Sequence, residues 1–364
     1  MHDLISTTPN GLYCERGDFY IDPWRPVPRA VITHAHSDHA RWGCDRYLTS
    51  HDGRQVLQSR MGPAAIIDSV AYGETVEYRG VKVSLHPAGH VLGSSQIRVE
   101  HAGEVWVVSG DYKVTPEATC QPFESIRCDT FVTECTFGLP IYRWRPEQEI
   151  VAEINHWWQA NRADGRASVI FAYALGKAQR IIAGLDASIG RIYCHGAVER
   201  VNNDYRSTGI TLPDTQYAGR AETKRDWAGS IVVAPPSAIA SPWLRKFGAA
   251  ATAFASGWMR IRGARRRRSV DRGFVLSDHA DWQGLTSAIA ATGAQRVLAT
   301  HGRTTAMVRW LRERGVNAAP LSTEFLGESD DAAVDAVDAD ELDAPSSVTE
   351  GTGQSSDYES EPQP

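Results

Sequence analysis

The segment His34-Ala35-His36-Ser37-Asp38-His39 constrains this chain more than any other, because three imidazoles and a carboxylate fall within six residues. Burying such a group is costly unless it binds something. On an extended segment the period of two projects His34, His36 and Asp38 to one side, and a turn can then bring in His39. The pattern differs from a helical pair spaced four apart, which needs a helix to align its ligands. The donors are nitrogen and oxygen without sulfur, so zinc fits best and manganese also suits them.

A second regularity extends this cluster across the chain. Five apolar runs end within a few residues of a group that can bind metal or move a proton: Val31-Ile32 before His34, Val107-Val108 before Asp111, Phe131-Val132 before Glu134, Phe274-Val275-Leu276 before His279, and Val297-Leu298 before His301. Strands of one sheet carry their ends to one edge, so groups distant in sequence can converge there. Residues 70–110 alternate as a β-meander, with Val76, Val81, Val83, Leu85, Ile97, Val99, Val105 and Val107 at apolar positions. Helical periodicity follows Pro146 and acidic Glu147 and Glu149, with Ile150, Ile154 and Trp157 on one face. Further helices are expected over 176–186, 282–291 and 304–314. Early strands followed by strand–helix alternation predict a layered α/β fold.

Composition narrows the class. A chain of 364 residues suits two compact units, or one large fold with a sizeable insertion. No run approaches eighteen consecutive apolar residues, so no membrane span is expected. The start, Met1-His2-Asp3-Leu4, does not resemble a secretory signal. Six scattered cysteines without a C-x-x-C pair argue against a disulfide scaffold or a thiolate zinc finger, and point to a reducing cytoplasm. The net charge of −6 hides a segregation: residues 327–364 hold twelve acidic and no basic side chains, while residues 1–326 hold 38 basic against 32 acidic. That last stretch is expected to be a disordered acidic tail.

His34-x-His36-x-Asp38-His39, then His90 in Pro87-Ala88-Gly89-His90-Val91-Leu92-Gly93, then Asp111 in Ser109-Gly110-Asp111-Tyr112, resemble the metal motifs of the metallo-β-lactamase superfamily. Asp22 in Ile21-Asp22-Pro23-Trp24 resembles its earlier aspartate motif. Glu134 in Thr133-Glu134-Cys135-Thr136, His279 in Ser277-Asp278-His279-Ala280-Asp281 and His301 in Thr300-His301-Gly302 resemble the three extra motifs of the β-CASP nuclease branch. Within that branch, the chain is similar to the bacterial ligase-associated DNA exonucleases, also described as mRNA 3′-end-processing-factor-like. Two departures stand out. DNA-processing relatives usually carry valine at the third extra motif, where this chain has His301, the form common in RNA enzymes; and Cys135 stands where serine is frequent.

The resemblance implies a metallo-β-lactamase αββα sandwich with an inserted β-CASP α/β domain. Its first part would span 1–139, the insertion 140–270, the return segment 271–326 and the tail 327–364. It also implies two divalent metal ions. His34, His36 and His90 would hold one, and Asp38, His39 and His301 the other, with Asp111 between them and Asp22 orienting a ligand histidine from behind. Asp38, Glu134 and His279 are the implied catalytic groups. Hydroxide would attack phosphorus in line while His279, oriented by Glu134, protonates the leaving oxygen.

Around the end of the expected insertion, Arg260, Arg262, Arg265, Arg266, Arg267, Arg268 and Arg272 fall within thirteen residues, near Trp243 and Trp258. Clustered arginine with aromatics suits a phosphate backbone and stacked bases. Lys177, after Gly176, is a further candidate phosphate contact at a helix N-terminus. The leading expectation is therefore a metal-dependent nuclease on single-stranded nucleic acid, a DNA-repair exonuclease whose partners include a DNA ligase and a helicase. An RNA-processing exo- or endonuclease with the same site is the alternative, and a catalytically inactive nucleic-acid-binding subunit is a third reading.

The arginine cluster makes a measurable claim. Replacing Arg265, Arg266 and Arg267 with Ala should weaken binding to long single strands more than it slows the bound reaction. The slope of log affinity against log salt should shrink by roughly 0.7 per lost contact. An unchanged slope would return the cluster to a merely solvated face.

Overall fold

A computed structural model describes residues 3–220, 227–239, 241–261 and 270–325. The first six strands, β1 (Ser6–Thr8), β2 (Gly11–Cys14), β3 (Phe19–Ile21), β4 (Ala30–Val31), β5 (Tyr47–Ser50) and β6 (Ile67–Val70), form one sheet in that spatial order. Helix α1 (Arg54–Met61) joins the last two. Strands β7 (Thr75–Tyr78), β8 (Val81–Pro87), β9 (Ser95–His101) and β10 (Glu104–Val108) are the expected antiparallel meander. They open a second sheet, and β11 (Thr130–Cys135) then pairs parallel with β10.

The chain leaves this sheet after β11. Helix α2 (Glu147–Ala163) leads into a third sheet, interleaved with α3 (Lys177–Gly184) and α4 (Gly196–Ser207). Its strands are β12 (Ser168–Phe171), β13 (Ile192–Cys194), β14 (Gln216–Tyr217), β15 (Ile231–Ala234), β16 (Ala251–Ala255) and β17 (Arg272–Phe274), ordered β14-β13-β15-β12-β16-β17 with every pairing parallel. The expected boundary at residue 270 is therefore too early. Phe274 pairs with Ala255 across β17 and β16, so the inserted sheet runs through that residue. After α5 (Trp282–Thr292), β18 (Arg296–Gly302) returns to pair parallel with β11. Helix α6 (Thr304–Arg312) precedes β19 (Asn317–Pro320) at the sheet edge, giving the order β19-β18-β11-β10-β9-β8-β7.

Period-two alternation decides the layering. Trp106 and Val108 of β10, Val132 of β11 and Leu298 of β18 pack in one core with Ile21, Val31 and Leu48 of the first sheet. Their neighbours Val107, Phe131 and Val297 point the other way, onto Leu285 and Ile289 of α5 and Met307 and Leu311 of α6. The outer face of the first sheet, through Ala30 and Tyr47, shares a core with α1 and with Ile154, Ile170 and Ile182 of the inserted domain. Two sheets face each other between helical layers, which is the αββα sandwich, and the insertion packs against one of its sides. No helix among the described residues is long and apolar enough to cross a membrane.

The tail from residue 327 lies outside the described residues, as do Arg262, Arg265, Arg266, Arg267 and Arg268. The inserted sheet can be tested separately. Ile170 is fully buried on its central strand, so Ile170→Ala should cost about 2–5 kcal/mol. Urea denaturation should register that loss while the metal content of the folded protein is unchanged.

Candidate metal centre

The carboxyl ends of parallel strands deliver the chemistry. Asp111 follows β10, Glu134 lies near the end of β11 and His301 near the end of β18, all on one edge of the second sheet. The facing sheet supplies His34, three residues beyond β4. Pairing between β11 and β18 shifts register after Thr133–Ala299, so that Cys135 meets Gly302. Irregularities of this kind re-aim side chains beside active sites. Cys135 is buried within this break, its Sγ 3.1 Å from the Thr300 carbonyl oxygen and 3.0 Å from that of His301. Gly110, at φ +56°, lies where a Cβ would sit 2.6 Å from Thr33, so only glycine lets Asp111 approach the histidine segment this closely.

One donor atom from each of His34, His36, His90 and Asp111 lies within 4.8 Å of the others, and the same holds for His39, Asp111 and His301. Asp111 belongs to both groups, its Oδ1 2.9 Å from His301 Nε2 and its Oδ2 3.6 Å from both His34 Nε2 and His39 Nε2. Asp38 is less tightly drawn in, with an oxygen 3.6 Å from His39 Nε2, and it belongs to neither compact group. The structure thus brings together six of the seven implied ligands closely and Asp38 loosely.

Each ring gives one nitrogen to the protein. His34 Nδ1 reaches Thr33 Oγ1 at 3.1 Å, His36 Nε2 the Leu175 carbonyl at 3.2 Å, His90 Nδ1 the Asp278 carbonyl at 2.8 Å, and His39 Nδ1 the Asp22 carboxylate at 2.8 Å. Outward N–H donation fixes the tautomer and turns the remaining lone pair inward. As a result His36 Nδ1 faces His34 Nε2 at 3.0 Å and His90 Nε2 at 3.1 Å, while His39 Nε2 is buried with no hydrogen-bond partner. Lone pairs meeting in a dry site need a cation between them. The donor set therefore fits two divalent metal ions, in one shell of three imidazoles and a second of two, joined by one carboxylate.

The electrostatics agree. Burial and neighbouring imidazoles hold His34 and His90 well below the ordinary histidine value, and burial lowers His36 despite nearby carboxylates. These rings are neutral, as ligands must be. Burial opposes a charged His39 too, but Asp38, Asp111 and Asp22 outweigh it and raise that ring to about 10. A site that draws a proton this strongly to His39 offers the same field to a metal ion. Burial likewise opposes ionisation of Asp111, yet His39, His301 and His279 hold it well below the usual carboxylate range.

Asp22 accepts from the Thr33 backbone N–H at 2.7 Å, from the Thr33 hydroxyl and from His39, tying the start of the histidine segment to β3. Beside the two groups, His279 Nδ1 lies 3.0 and 3.1 Å from the two oxygens of the fully buried Glu134. The Tyr112 backbone N–H donates to Glu134 at 2.8 Å and fixes the carboxylate in turn. Burial works against a charged His279, but Glu134 and Asp111 outweigh it and raise the ring to about 10, so it holds a proton at neutral pH. Nδ1 is turned to Glu134, which leaves Nε2 as the other ring nitrogen.

Lys177 departs from the expected phosphate contact. It does begin α3, but its side chain is fully buried, with Nζ 3.1 Å from Asp278 Oδ1, and is not presented to solvent. Arg260 is exposed, its Nε 3.4 Å from the Ile141 carbonyl, on a segment whose Trp258 packs on Phe137, itself 5.9 Å from His279. The sequence does not single out Phe325, which stacks on His39 at 4.5 Å and 12°. Nor does it mark the buried charges Lys113, Glu117, Arg180 and Asp278 or the partly buried Glu147, apart from the place of Asp278 beside His279.

No family model matches the chain. A probable DNA ligase of Opitutus terrae is 31% identical over 311 residues, covering 85% of this chain and 30% of that protein. The cleavage and polyadenylation specificity factor subunit 3 of Dictyostelium discoideum is 30% identical over 33% of this chain and 16% of its own length. The endoribonuclease ysh1 of Schizosaccharomyces pombe is 32% identical over the same shares. The chain thus spans less than a third of the length of these curated relatives. Among solved structures, a protein of unknown function from Enterococcus faecalis V583 superposes with a TM-score of 0.58 at 11% identity, covering 81% of this chain and 79% of that one, a likeness of fold.

Metal-replete protein should carry about two divalent ions per chain by elemental analysis. His36→Ala should remove close to one of them, with the far-ultraviolet circular dichroism of the folded protein retained. Less than half an equivalent on the unsubstituted chain would rule out a two-ion centre.

Proposed function

Because the chain belongs to the β-CASP branch of the metallo-β-lactamase superfamily, we propose that it is a metal-dependent phosphodiesterase that hydrolyses single-stranded nucleic acid. The observation that carries this reading is the Glu134–His279 pair, buried and hydrogen-bonded, sharing Asp111 as a neighbour with the metal-ligand groups. A hydrolase of small neutral esters has no need of a second proton donor held beside such a cluster; cleavage of a phosphodiester, whose leaving alkoxide is strongly basic, does.

His34, His36, His90 and Asp111 would hold one ion, and His39, His301 and Asp111, with Asp38 alongside, the other. The chemistry such ions supply when bound is Lewis-acid polarisation of a phosphate and activation of water near neutral pH. The chain's own groups do the rest. Asp22 and the Leu175 and Asp278 carbonyls hold three rings in their ligand tautomers. His279, charged and steadied by Glu134, gives its Nε2 proton to the departing oxygen. Glu134 then bears the electrostatic cost of the neutral ring, and the proton returns from water before the next cycle.

The preferred substrate is DNA, cleaved from an end in the course of cytoplasmic repair, with a DNA ligase and a helicase as partners. The extended similarity to a probable DNA ligase supports this. RNA is the second reading, favoured by His301 at the third extra motif and by relatives that are endoribonucleases. End-labelled DNA and RNA of identical sequence, incubated with zinc or manganese and sized, should show stepwise shortening of the DNA. Internal cuts, or faster loss of the RNA, would transfer the assignment to RNA processing.

Two histidines that look alike in sequence should fail differently. His301→Ala should lose affinity for one metal, and excess metal should restore part of the rate. His279→Ala should keep both ions and bind substrate nearly normally, yet slow by about 10²–10⁴-fold. Its defect should shrink on a nitrophenyl phosphodiester, whose leaving group needs little protonation. Loss of a metal from His279→Ala, or an equal defect on the activated substrate, would overturn the acid assignment.

A further inference from the structure

Three cations and three carboxylates cluster where the inserted domain meets the metal centre: Lys113, Lys177 and Arg180 with Glu117 and Asp278, all with buried side chains, and the partly buried Glu147. Arg180 donates from its two terminal nitrogens to the Ser277 carbonyl at 2.9 Å and the His90 carbonyl at 3.2 Å, with Glu117 3.6 Å and Glu147 3.9 Å from its Nε. Lys113 donates to the same Ser277 carbonyl at 2.9 Å and to Glu147 at 2.8 Å. Lys177 lies 3.1 Å from Asp278. The approach is close: a Cβ on Gly176, at φ +88°, would sit 2.2 Å from Val91 and 3.5 Å from Asp278.

Burying such pairs costs desolvation free energy that an apolar contact would not, so stability alone is a poor reason for them. Their contacts supply another. Asp278 follows Ser277 and precedes His279, and its carbonyl receives the His90 ring N–H. His90 is thus gripped at its main chain by Arg180 and at its ring through Asp278, and both grips end on α3. Leu175, two residues before Lys177, gives its carbonyl to the ring of His36.

We propose that Lys177 and Arg180 are positioning residues: by holding Asp278 and the 277–279 backbone against α3, they aim the ligand His90 and the acid His279, so that the site is complete only with the inserted domain seated. The assignment of His279 as acid rests on the phosphodiesterase reading. The effect on His90 does not, because it is read from metal binding alone.

The test uses the full chain loaded with cobalt(II), whose absorption reports the ligand shell. Lys177→Met should weaken binding of one cobalt ion by about 10–100-fold, the usual effect of losing support behind a ligand, and should change the spectrum. It should also alter the alkaline limb of the pH–rate profile, and Lys177→Arg should restore both. If Lys177→Met does not fold because Asp278 is left buried and unpaired, the charge-free pair Lys177→Met with Asp278→Asn removes that penalty. This double variant should regain stability without regaining cobalt affinity or the wild-type spectrum. A double variant, or a folded Lys177→Met, with wild-type cobalt affinity and spectrum would overturn the proposal and leave the ion pair a structural one. Normal cobalt behaviour in the unsubstituted chain with no cleavage of any strand would instead count against the phosphodiesterase reading.

Discussion

Three buried imidazoles, His34, His39 and His90, and the partly buried His36 each give one nitrogen to a protein acceptor, and the nitrogens left over point into two neighbouring groups joined by Asp111. His36 Nδ1 lies about 3 Å from its counterparts on His34 and His90, and His39 Nε2, 3.6 Å from carboxylate oxygens of Asp38 and Asp111, has no hydrogen-bond partner. An apolar core would not tolerate this arrangement, and a hydrogen-bond network cannot resolve it, because the outward nitrogens are already committed. A cation relieves it. The fold can be read as the means of keeping these rings so disposed, with Asp111 between the two groups to share its charge with both.

That requirement explains why strand ends carry the site. Rigid parallel strands fix Asp111, Glu134 and His301 along one edge, and the facing sheet brings the histidine segment opposite them. Tautomers are then set from outside, by Asp22 on β3's end and by two backbone carbonyls, those of Leu175 and Asp278. One of those carbonyls belongs to the inserted domain. The insertion is therefore part of the metal centre's support as well as a candidate surface for nucleic acid.

Much of this was legible in the residues. The apolar runs before His34, Asp111, Glu134 and His301 are strands because their neighbours alternate between two cores, which leaves a period-two trace in any single strand. The polar cluster His34 to His39 announces itself by its density. The inserted sheet was harder to bound, since β17 is three residues long and borders a run of arginines that reads as a loop. An N-terminal lysine after glycine, such as Lys177, looks the same in sequence whether it faces phosphate or a buried aspartate a hundred residues away. The Leu175 carbonyl leaves no trace in sequence, since every residue has one. Phe325 was invisible for a related reason: its stacking on His39 depends on where the chain runs after β19.

The most direct measurement is anomalous scattering from crystals of the full chain grown with zinc or manganese. Two peaks are predicted, one among His34, His36 and His90 and one between His39 and His301, with Asp111 in contact with both. A single ion, or ions bound away from these rings in a crystal that keeps the same histidine arrangement, would contradict the account.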